Sequence, residues 1–397
     1  QEGDRSRLGS VVFVGNRAMS DGALRKRLQL PAWWNPWYRI RKPNFDAGAI
    51  RRLVEEVRAG YRDLGYLNVT VHPPVVEPLR RGQVRLIVAV EEGPRFRLGR
   101  VTVRGVKTFP ADAVADRVPL KPGDLAALSA IDQAARAVRT YYGTRGYIRT
   151  EVEPRLTPAG DAVMDLELEV REGRLTNVGK VRIQGNTRTR EKVIRREVNV
   201  YPGELFNEAK VAQTEQRLMN LNYFERVTGF PAATGAPGTN DLVIEVVEKP
   251  TGMFTVGAGF SSVDNLVGYM EVSQGNFDLL GWPTFTGGGQ RLKLSLRAGT
   301  EMNEYSLSLT EPWLLNRPLA LTLEGYTMGR SYSEYDVKRT GGSAALGFPT
   351  LFGSRLELRY RLERVSVSDV DDDELFTDVD GSTFYYTEEE DQTQSSF

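Results

Sequence analysis

The chain has 397 residues, 52 acidic and 52 basic, with a single histidine and no cysteine. That length accommodates several domains. Zero formal charge offers no global field to recruit nucleic acid, and the lack of thiols excludes disulfides, thiolate metal sites and cysteine nucleophiles.

No run approaches the roughly 18 apolar residues of a membrane helix. Gln1 is not an initiator and no signal peptide precedes it, so the expectation is a mature or trimmed N-terminus.

Three copies of one unit open the chain. Each begins with a short strand closed by glycine: Val11-Val12-Phe13-Val14-Gly15, Val101-Thr102-Val103-Arg104-Gly105 and Val181-Arg182-Ile183-Gln184-Gly185. Each continues through helical text to a break before an aromatic: Leu64-Gly65-Tyr66, Arg145-Gly146-Tyr147 and Leu221-Asn222-Tyr223. Each ends in a β-rich strand running into acid, Leu86 to Glu92, Met164 to Glu172 and Leu242 to Glu248. The opening glycine recurs after 90 and then 80 residues, the signature of an array of supersecondary units.

In the first unit, Ser20 is placed to cap a helix running to Leu30, its hydroxyl accepting from an orphan N–H. A second helix is expected from about Phe45, with Ile50, Leu53, Val54, Val57, Tyr61 and Leu64 on one stripe and Gly65 as its stop. Two strands of period two follow, Leu67-Val69-Val71 and Val84-Leu86-Val88-Val90. The unit therefore reads β-α-α-β-β.

In the second unit, Ile131, Val138, Tyr142 and Gly146 repeat the spacing of Ile50, Val57, Tyr61 and Gly65. The third keeps Val211 and Leu218, and its break at Asn222 arrives four residues sooner. Four residues is about one helical turn, so the apolar face survives the deletion. The expected boundaries are 8–93, 94–174 and 175–250.

A small sheet of this kind has an exposed edge that can add an extended segment through main-chain hydrogen bonds. The candidate edge is the strand after the second helix: Leu67 to Val71, Ile148 to Val152 and Glu225 to Gly229. The residues singled out are Leu67, Val69, Val71, Ile148, Val152 and Val227.

The first unit also carries an insertion, Pro31 to Tyr38, whose prolines forbid a continuous helix. Its Trp33, Trp34 and Trp37 read either as a cover for the unit's own core or as an exposed patch for a partner or membrane interface. His72, beside Pro73 and Pro74, reads as solvated. No nucleophile–base pair, metal cluster or acid pair stands at useful spacing, so no enzyme, cofactor or metal is expected.

After Lys249-Pro250 helical text gives way to alternation. Phe254-Val256-Ala258-Phe260, Leu292-Leu294-Leu296, Tyr305-Leu307-Leu309 and Leu356-Leu358-Tyr360-Leu362 each share one face, with polar, charged or small residues between them. Roughly seven such strands precede Asp369. The pattern fits an antiparallel transmembrane β-barrel, apolar out and polar in, and also a soluble β-sandwich. Charges of both signs on the polar face favour the barrel. So do Trp282, Trp313, Tyr326, Tyr332 and Tyr335 near strand ends, where an interfacial girdle would lie. In a sandwich, Leu307, Leu309, Leu356 and Leu358 would pack against a second layer. The acidic runs 369–374 and 388–391 read as solvated loops, and Gly287-Gly288-Gly289 as a turn.

From Val181 onward the text resembles the family of BamA-type outer-membrane protein assembly factors. The resemblance rests on Gly185-Asn186-Thr187-Arg188-Thr189, Leu218-Met219-Asn220-Leu221-Asn222-Tyr223-Phe224 and Glu248-Lys249-Pro250-Thr251-Gly252. It continues through Gly257-Ala258-Gly259-Phe260-Ser261-Ser262, Ser273-Gln274-Gly275-Asn276-Phe277, Gly289-Gln290-Arg291-Leu292 and Tyr305 to Trp313.

The resemblance implies POTRA repeats in the periplasm followed by the N-terminal part of an outer-membrane barrel over 251–397. Unfolded outer-membrane proteins would be received by β-augmentation and their insertion templated at a lateral gate. The role of first gate strand falls on Met253 to Ser261, with Phe254, Val256, Gly257, Ala258, Gly259 and Phe260. Gly257 and Gly259 would weaken packing there and ease opening, or merely permit curvature. The implied partners are unfolded barrel precursors, periplasmic chaperones, accessory lipoproteins and outer-membrane lipid.

The chain departs from the family pattern in three ways. Seven or eight strands stand where the family has sixteen, three repeats where five are frequent, and the stretch Asp278 to Gly288 is longer than the usual turn. An incomplete barrel is therefore expected. Phe397 resembles the terminal aromatic of outer-membrane barrels, but Gln392 to Ser396 lack the alternating apolar residues that precede it there, so it is not taken as that signal. The alternatives are a polypeptide secretion or translocation pore of the same superfamily, and a soluble periplasmic scaffold.

Overall fold

The computed structural model describes residues 7–28, 47–79, 83–261, 265–332, 335–350, 354–368, 376–377, 383–384 and 391–396. Trp33, Trp34 and Trp37 lie outside the described residues, as does most of both acidic runs. The chain divides into two compact units, residues 1–177 with 204–209, and 178–203 with 210–397.

The first unit holds two β-α-α-β-β repeats. In the first, β1 (Arg7–Val14), α1 (Asp21–Arg27), α2 (Ala47–Asp63), β2 (Thr70–Val71), β3 (Val75–Leu79) and β4 (Gln83–Glu91) follow in order. The central strand is β4, parallel to β1 on one side and antiparallel to β2 and β3 on the other. It is central because it is the most apolar: Val84, Leu86, Val88 and Val90 are buried beneath Leu53, Val57 and Tyr61 of α2. Ser20 caps α1 through the Ala23 N–H at 3.3 Å.

The second repeat runs β5 (Arg97–Arg104), α3 (Ala111–Ala115), α4 (Leu128–Gly143), β6 (Glu151–Gly160) and β7 (Val163–Arg171), in sheet order β5-β7-β6. Ile131, Val138 and Tyr142 of α4 pack into its core with Leu166, Leu168 and Val170 of β7.

The marker glycines have a steric cause. Gly15, Gly105 and Gly185 take left-handed φ of 85°, 84° and 87°. A Cβ at each would lie 2.2, 2.1 and 2.1 Å from the carbonyl oxygen of Val90, Val170 and Val246. No other residue fits where the first strand turns away across the end of the central one.

The acid two residues after each of those valines is a latch. The Glu92 carboxylate accepts from Ala18 N–H (2.7 Å) and the Tyr61 hydroxyl (3.0 Å). Glu172 accepts from the N–H groups of Lys107 and Thr108 and from the hydroxyls of Thr108 and Tyr142 (2.7 Å each). Burial alone would raise the Glu172 carboxyl. The donors outweigh it and hold the group at about 2.

In the second unit, β8 (Asn177–Gln184), α5 (Glu191–Arg195), α6 (Glu208–Asn220), β9 (Phe224–Ala233) and β10 (Thr239–Glu248) form the third sheet, in order β8-β10-β9. Leu218 stands four residues before Asn222, as Tyr61 stands before Gly65, so no tyrosine reaches the acid. Glu248 instead takes three N–H donors, from Thr187 (3.0 Å), Arg188 (2.9 Å) and Thr189 (2.7 Å), plus the Thr187 hydroxyl. Asn222 sits at φ 62°, the left-handed region that asparagine tolerates better than other side chains.

The remaining strands are β11 (Gly252–Ser261), β12 (Asn265–Phe277), β13 (Gln290–Gly299), β14 (Met302–Glu311), β15 (Ala320–Ser331), β16 (Asp336–Pro349) and β17 (Arg355–Ser368). A two-residue pair follows, β18 (Phe376–Thr377) and β19 (Thr383–Phe384), and then β20 (Asp391–Ser396). Strands β11 to β17 pair antiparallel in chain order, and β20 adds to β17 as the eighth strand. Residues 392–396 lack the alternating apolar residues of a terminal barrel strand, and they pair with β17 all the same. Main-chain donors and acceptors along β17 accept them because a ladder asks little of side chains.

Register converts alternation into two surfaces. One row reads Phe254, Val272, Leu294, Leu307, Gly325, Gly342, Leu362, and the next Thr255, Glu271, Ser295, Ser306, Tyr326, Gly341, Glu363. The polar surface is tied by Lys293–Glu271 (2.9 Å), Arg297–Glu304 (3.1 Å) and Tyr326 donating to Glu363 (2.6 Å). On the apolar surface, Leu307, Leu356 and Leu358 are 51%, 48% and 61% exposed and Leu309 is half-buried. Among the described residues no second layer covers them, which removes the sandwich reading.

The girdle expectation is corrected at two positions: Tyr326 lies on the polar surface, and Trp313 takes up a cation instead. Trp282 is exposed, and Tyr332 and Tyr335 stack at 4.9 Å.

Candidate strand-pairing edges and the repeat–barrel junction

In all three repeats the strand after the second helix is an edge strand, but it begins later than expected in the first two. Leu67 and Ile148 lie in turns and Val69 precedes β2. The break at Gly65 or Gly146 needs three further residues to reverse the chain, as Tyr66 O accepting from Val69 N–H and Tyr147 O from Thr150 N–H show. Val69, Val71 and Val152 are buried core side chains, and Val227 is half-buried in β9. What these segments offer outward is backbone.

That backbone offer is interrupted. Pro78 in β3, Pro154 in β6 and Pro231 in β9 stand opposite partners within regular ladders, and Pro158 in β6 stands opposite Met164 beside a register shift. A proline keeps such a place only where its missing N–H points away from the neighbouring strand, so each deletes an outward donor. In β9 the Gly229 N–H, two residues before Pro231, is already taken by the Glu215 carboxylate at 2.6 Å. Residues 224–228 are the part of β9 free of both blocks.

Strand β11 follows β10 after Lys249-Pro250-Thr251. All its residues from Gly252 to Ser261 pair with β12, and among the described residues no strand pairs with its other side. Phe254, Val256 and Phe260 are 64%, 69% and 78% exposed. Its two inner glycines differ. A Cβ on Gly257 would lie 2.5 Å from the ring of Tyr269, its cross-strand partner, so Gly257 makes room for an aromatic. At Gly259 nothing lies within 4 Å, and Ala258 pairs with Gly268.

Beneath the sheet, the long turn between β12 and β13 holds the third repeat. Arg190 N–H donates to Gly287 O at 3.0 Å, and its guanidinium pairs with Asp278 at 2.5 Å. Asn276 donates to the Thr189 hydroxyl (2.8 Å) while its own carbonyl accepts from Gly289 N–H (3.0 Å). The Tyr223 hydroxyl donates to Gly289 O at 3.1 Å, and burial raises that phenol. Arg196 lies over the Trp313 ring at 5.4 Å with its side chain only 9% exposed, and burial lowers its guanidinium. Its surroundings include Glu197 (3.9 Å), Glu311 and Tyr223.

Trp313 was expected in an interfacial girdle, and Thr189, Tyr223, Asn276 and Gly289 stand in the motifs of the resemblance, but no packing role was expected of any junction residue. The excess length of 278–288 was the available signal, since an added turn needs something to pack on.

The POTRA family model, described as a surface antigen variable number repeat, matches residues 6–93, 96–173 and 176–249. The Omp85 superfamily domain matches 285–397. The outer membrane protein assembly factor BamA of Neisseria meningitidis serogroup B is 25% identical over 379 residues, covering 92% of this chain and 46% of that protein. A putative outer membrane protein assembly factor of Treponema pallidum is 25% identical over 366 residues, covering 89% and 42%. The crystal structure of BamA from Haemophilus ducreyi lacking POTRA domains 1–3 superposes with TM-score 0.61 at 20% identity, over 76% of this chain and 58% of that one. That of Haemophilus influenzae BamA POTRA3–5 gives 0.51 at 22%, over 62% and 100%. The first shares repeats followed by antiparallel barrel strands, and the second shares the repeats.

The chain spans less than half the length of these two curated relatives. It belongs to the family of POTRA-repeat proteins and carries an Omp85 superfamily domain behind its repeats.

Proposed function

We propose that the chain works in the outer membrane, with its repeats in the periplasm, as an assembly factor for β-barrel proteins. Unfolded barrel precursors add as strands to the repeat edges, and β11 templates their folding and insertion. The observation that carries this reading is β11 itself: an apolar, ten-residue edge strand that directly follows the third repeat, with one side paired and the other open. An open edge supplies a client with main-chain partners where lipid supplies none. The names of the curated relatives support the same activity.

The work is binding and templating rather than covalent chemistry. Periplasmic chaperones and accessory lipoproteins are the expected partners upstream, and outer-membrane lipid the surrounding medium. Within the repeats, residues 224–228 are the stretch best placed to pair, because the proline positions leave β3 and β6 with broken rows of donors.

The test is reconstitution in phospholipid vesicles with a urea-unfolded barrel precursor. Thr255→Pro and Ala258→Pro have opposite parity, so one of them removes an outward donor. At least one should lower precursor insertion well below that of Thr255→Ser and Ala258→Ser. Equal insertion by all four variants contradicts templating at β11.

A further inference from the structure

We propose that the apolar face of β14 to β17 seats one phospholipid whose headgroup carries an amine beyond its phosphate. The inference rests on the membrane-spanning reading of that face. Register sets Gly325 opposite Gly342, with Ala344 next along the same face. A Cβ added at Gly325 would meet nothing within 4 Å. Leu307 and Leu362 flank this glycine pair in the same row, and the space between them is hollow. The hollow is a groove of about 850 Å³, walled by Leu307, Leu309 and Leu323 on one side and by Tyr360 and Leu362 on the other. Its size lies within the range of sites that hold small ligands.

Moving away from the repeats along the same strands, the side chains change character in order. The next row is Thr327, Thr340 and Arg364, the two hydroxyls 2.9 Å apart. Beyond it come Gly329, Lys338 and Ser366, and then Asp336. A second cavity, about 400 Å³, opens at this level. Thr327, Lys338 and Arg330 line it, with Asp336 and Glu301 among its walls. Lys338 is exposed, and Glu301 already accepts from Asn265 at 3.1 Å.

The sequence along the face is therefore aliphatic, hydroxyl, cationic, anionic. An acyl chain, a glycerol ester, a phosphate and a protonated amine follow in that order in an aminophospholipid. An anionic lipid without the amine would bring its charge against Asp336 and Glu301 with no cation of its own to offset them. A second copy of this chain would have to supply both an aliphatic ridge and a charge pair in the same spacing.

The experiment is native mass spectrometry of the full chain in mild detergent, with phosphatidylethanolamine, phosphatidylglycerol or phosphatidylcholine added in turn. The wild type should retain one phosphatidylethanolamine about tenfold more tightly than either other lipid, a difference of about 1.4 kcal/mol. Gly325→Leu and Ala344→Leu, each filling the groove, should abolish that retention. Ala298→Leu adds bulk to the same face outside the groove and should leave it intact. Asp336→Asn should erase the preference over phosphatidylglycerol. Equal retention of all three lipids by the wild type, or unchanged retention by both groove-filling variants, overturns the seat. A dimer that appears in place of the lipid-bound monomer also overturns it, in favour of a second copy.

Insertion of the same variants into vesicles separates the two levels. A chain that enters bilayers yet shows no lipid preference loses only the seat, whereas a chain that never enters them loses the membrane-spanning reading as well.

Discussion

The repeats and the barrel strands use the same alternation to opposite ends. In the second repeat, Leu166, Leu168 and Val170 of β7 disappear beneath α4, and the sheet ends are tied by Glu172. In the barrel sheet, Leu307 and Leu358 alternate just as regularly and remain about half exposed. The first pattern is completed by protein and the second by solvent of a different kind. Identical periodicity therefore does not identify the medium. What identifies it is whether helical text accompanies the strands, together with the ionic content of the other face.

Substitution across one pair of adjacent residues gives the largest expected effect. Leu307→Arg places a charge on the aliphatic face, where a bilayer midplane charges about 2–4 kcal/mol for it. Ser306→Arg places the same group on the ionic face, between Ser295 and Tyr326 in register, and should cost little. Folding yield into vesicles, read by heat-dependent gel mobility, checks both. Equal losses at the two sites would mean that the two faces share one environment, and the contrast with the repeats would collapse.

The junction is where the two regions meet, and a smaller effect is expected there. Arg196 over Trp313 is a nearly dry cation–π contact, worth about 0.5–2 kcal/mol. Arg196→Gln and Trp313→Leu should each destabilise the chain, and the double variant should cost less than the sum, with a coupling in that range. The measurement is a double-mutant cycle on thermal unfolding. Strict additivity would mean that the ring and the guanidinium are neighbours without being partners.

Much of this was legible before any coordinates. The three closing glycines announced a repeat because each faces a carbonyl that admits no side chain, and the helix stripes named the cores. The alternation from Phe254 onward named two faces, and register aligned them. The edges were harder: Leu67 and Ile148 look like strand text, but a reversal after a left-handed residue consumes three positions that carry no apolar signature. The junction was harder still. Arg190, Arg196, Asn276 and Asp278 act through neighbours tens of residues away, so nothing local marks them. Trp313 near a strand end reads as an interfacial anchor until the cation beneath it is seen. The run 392–396 joins the sheet through main-chain pairing, which composition does not record.

The smallest expected effect isolates the latch that the barrel strands lack. The Glu172 carboxyl stands at about 2 against an ordinary 4.5, because two N–H groups and two hydroxyls favour its charged form against the cost of burial. A folded-state value below the unfolded one means stabilisation that is present above about pH 4.5 and lost as pH falls toward 2. Tyr142→Phe removes one hydroxyl donor and leaves the ring, so the carboxyl should titrate higher. The acid-dependent loss still sets in near pH 4.5 but should be smaller and level off at a higher pH than in the wild type, with a loss near neutrality of about 1 kcal/mol. Thermal melts between pH 2.5 and 6 test this. The variant's curve should converge on the wild type's at the acid end, where Glu172 is increasingly protonated in both. In the third repeat no tyrosine reaches Glu248, so Leu218→Val should shift stability by the same amount at every pH. A parallel offset for Tyr142→Phe as well would mean that its hydroxyl contributes packing alone, and the acid would then be a turn residue rather than a latch.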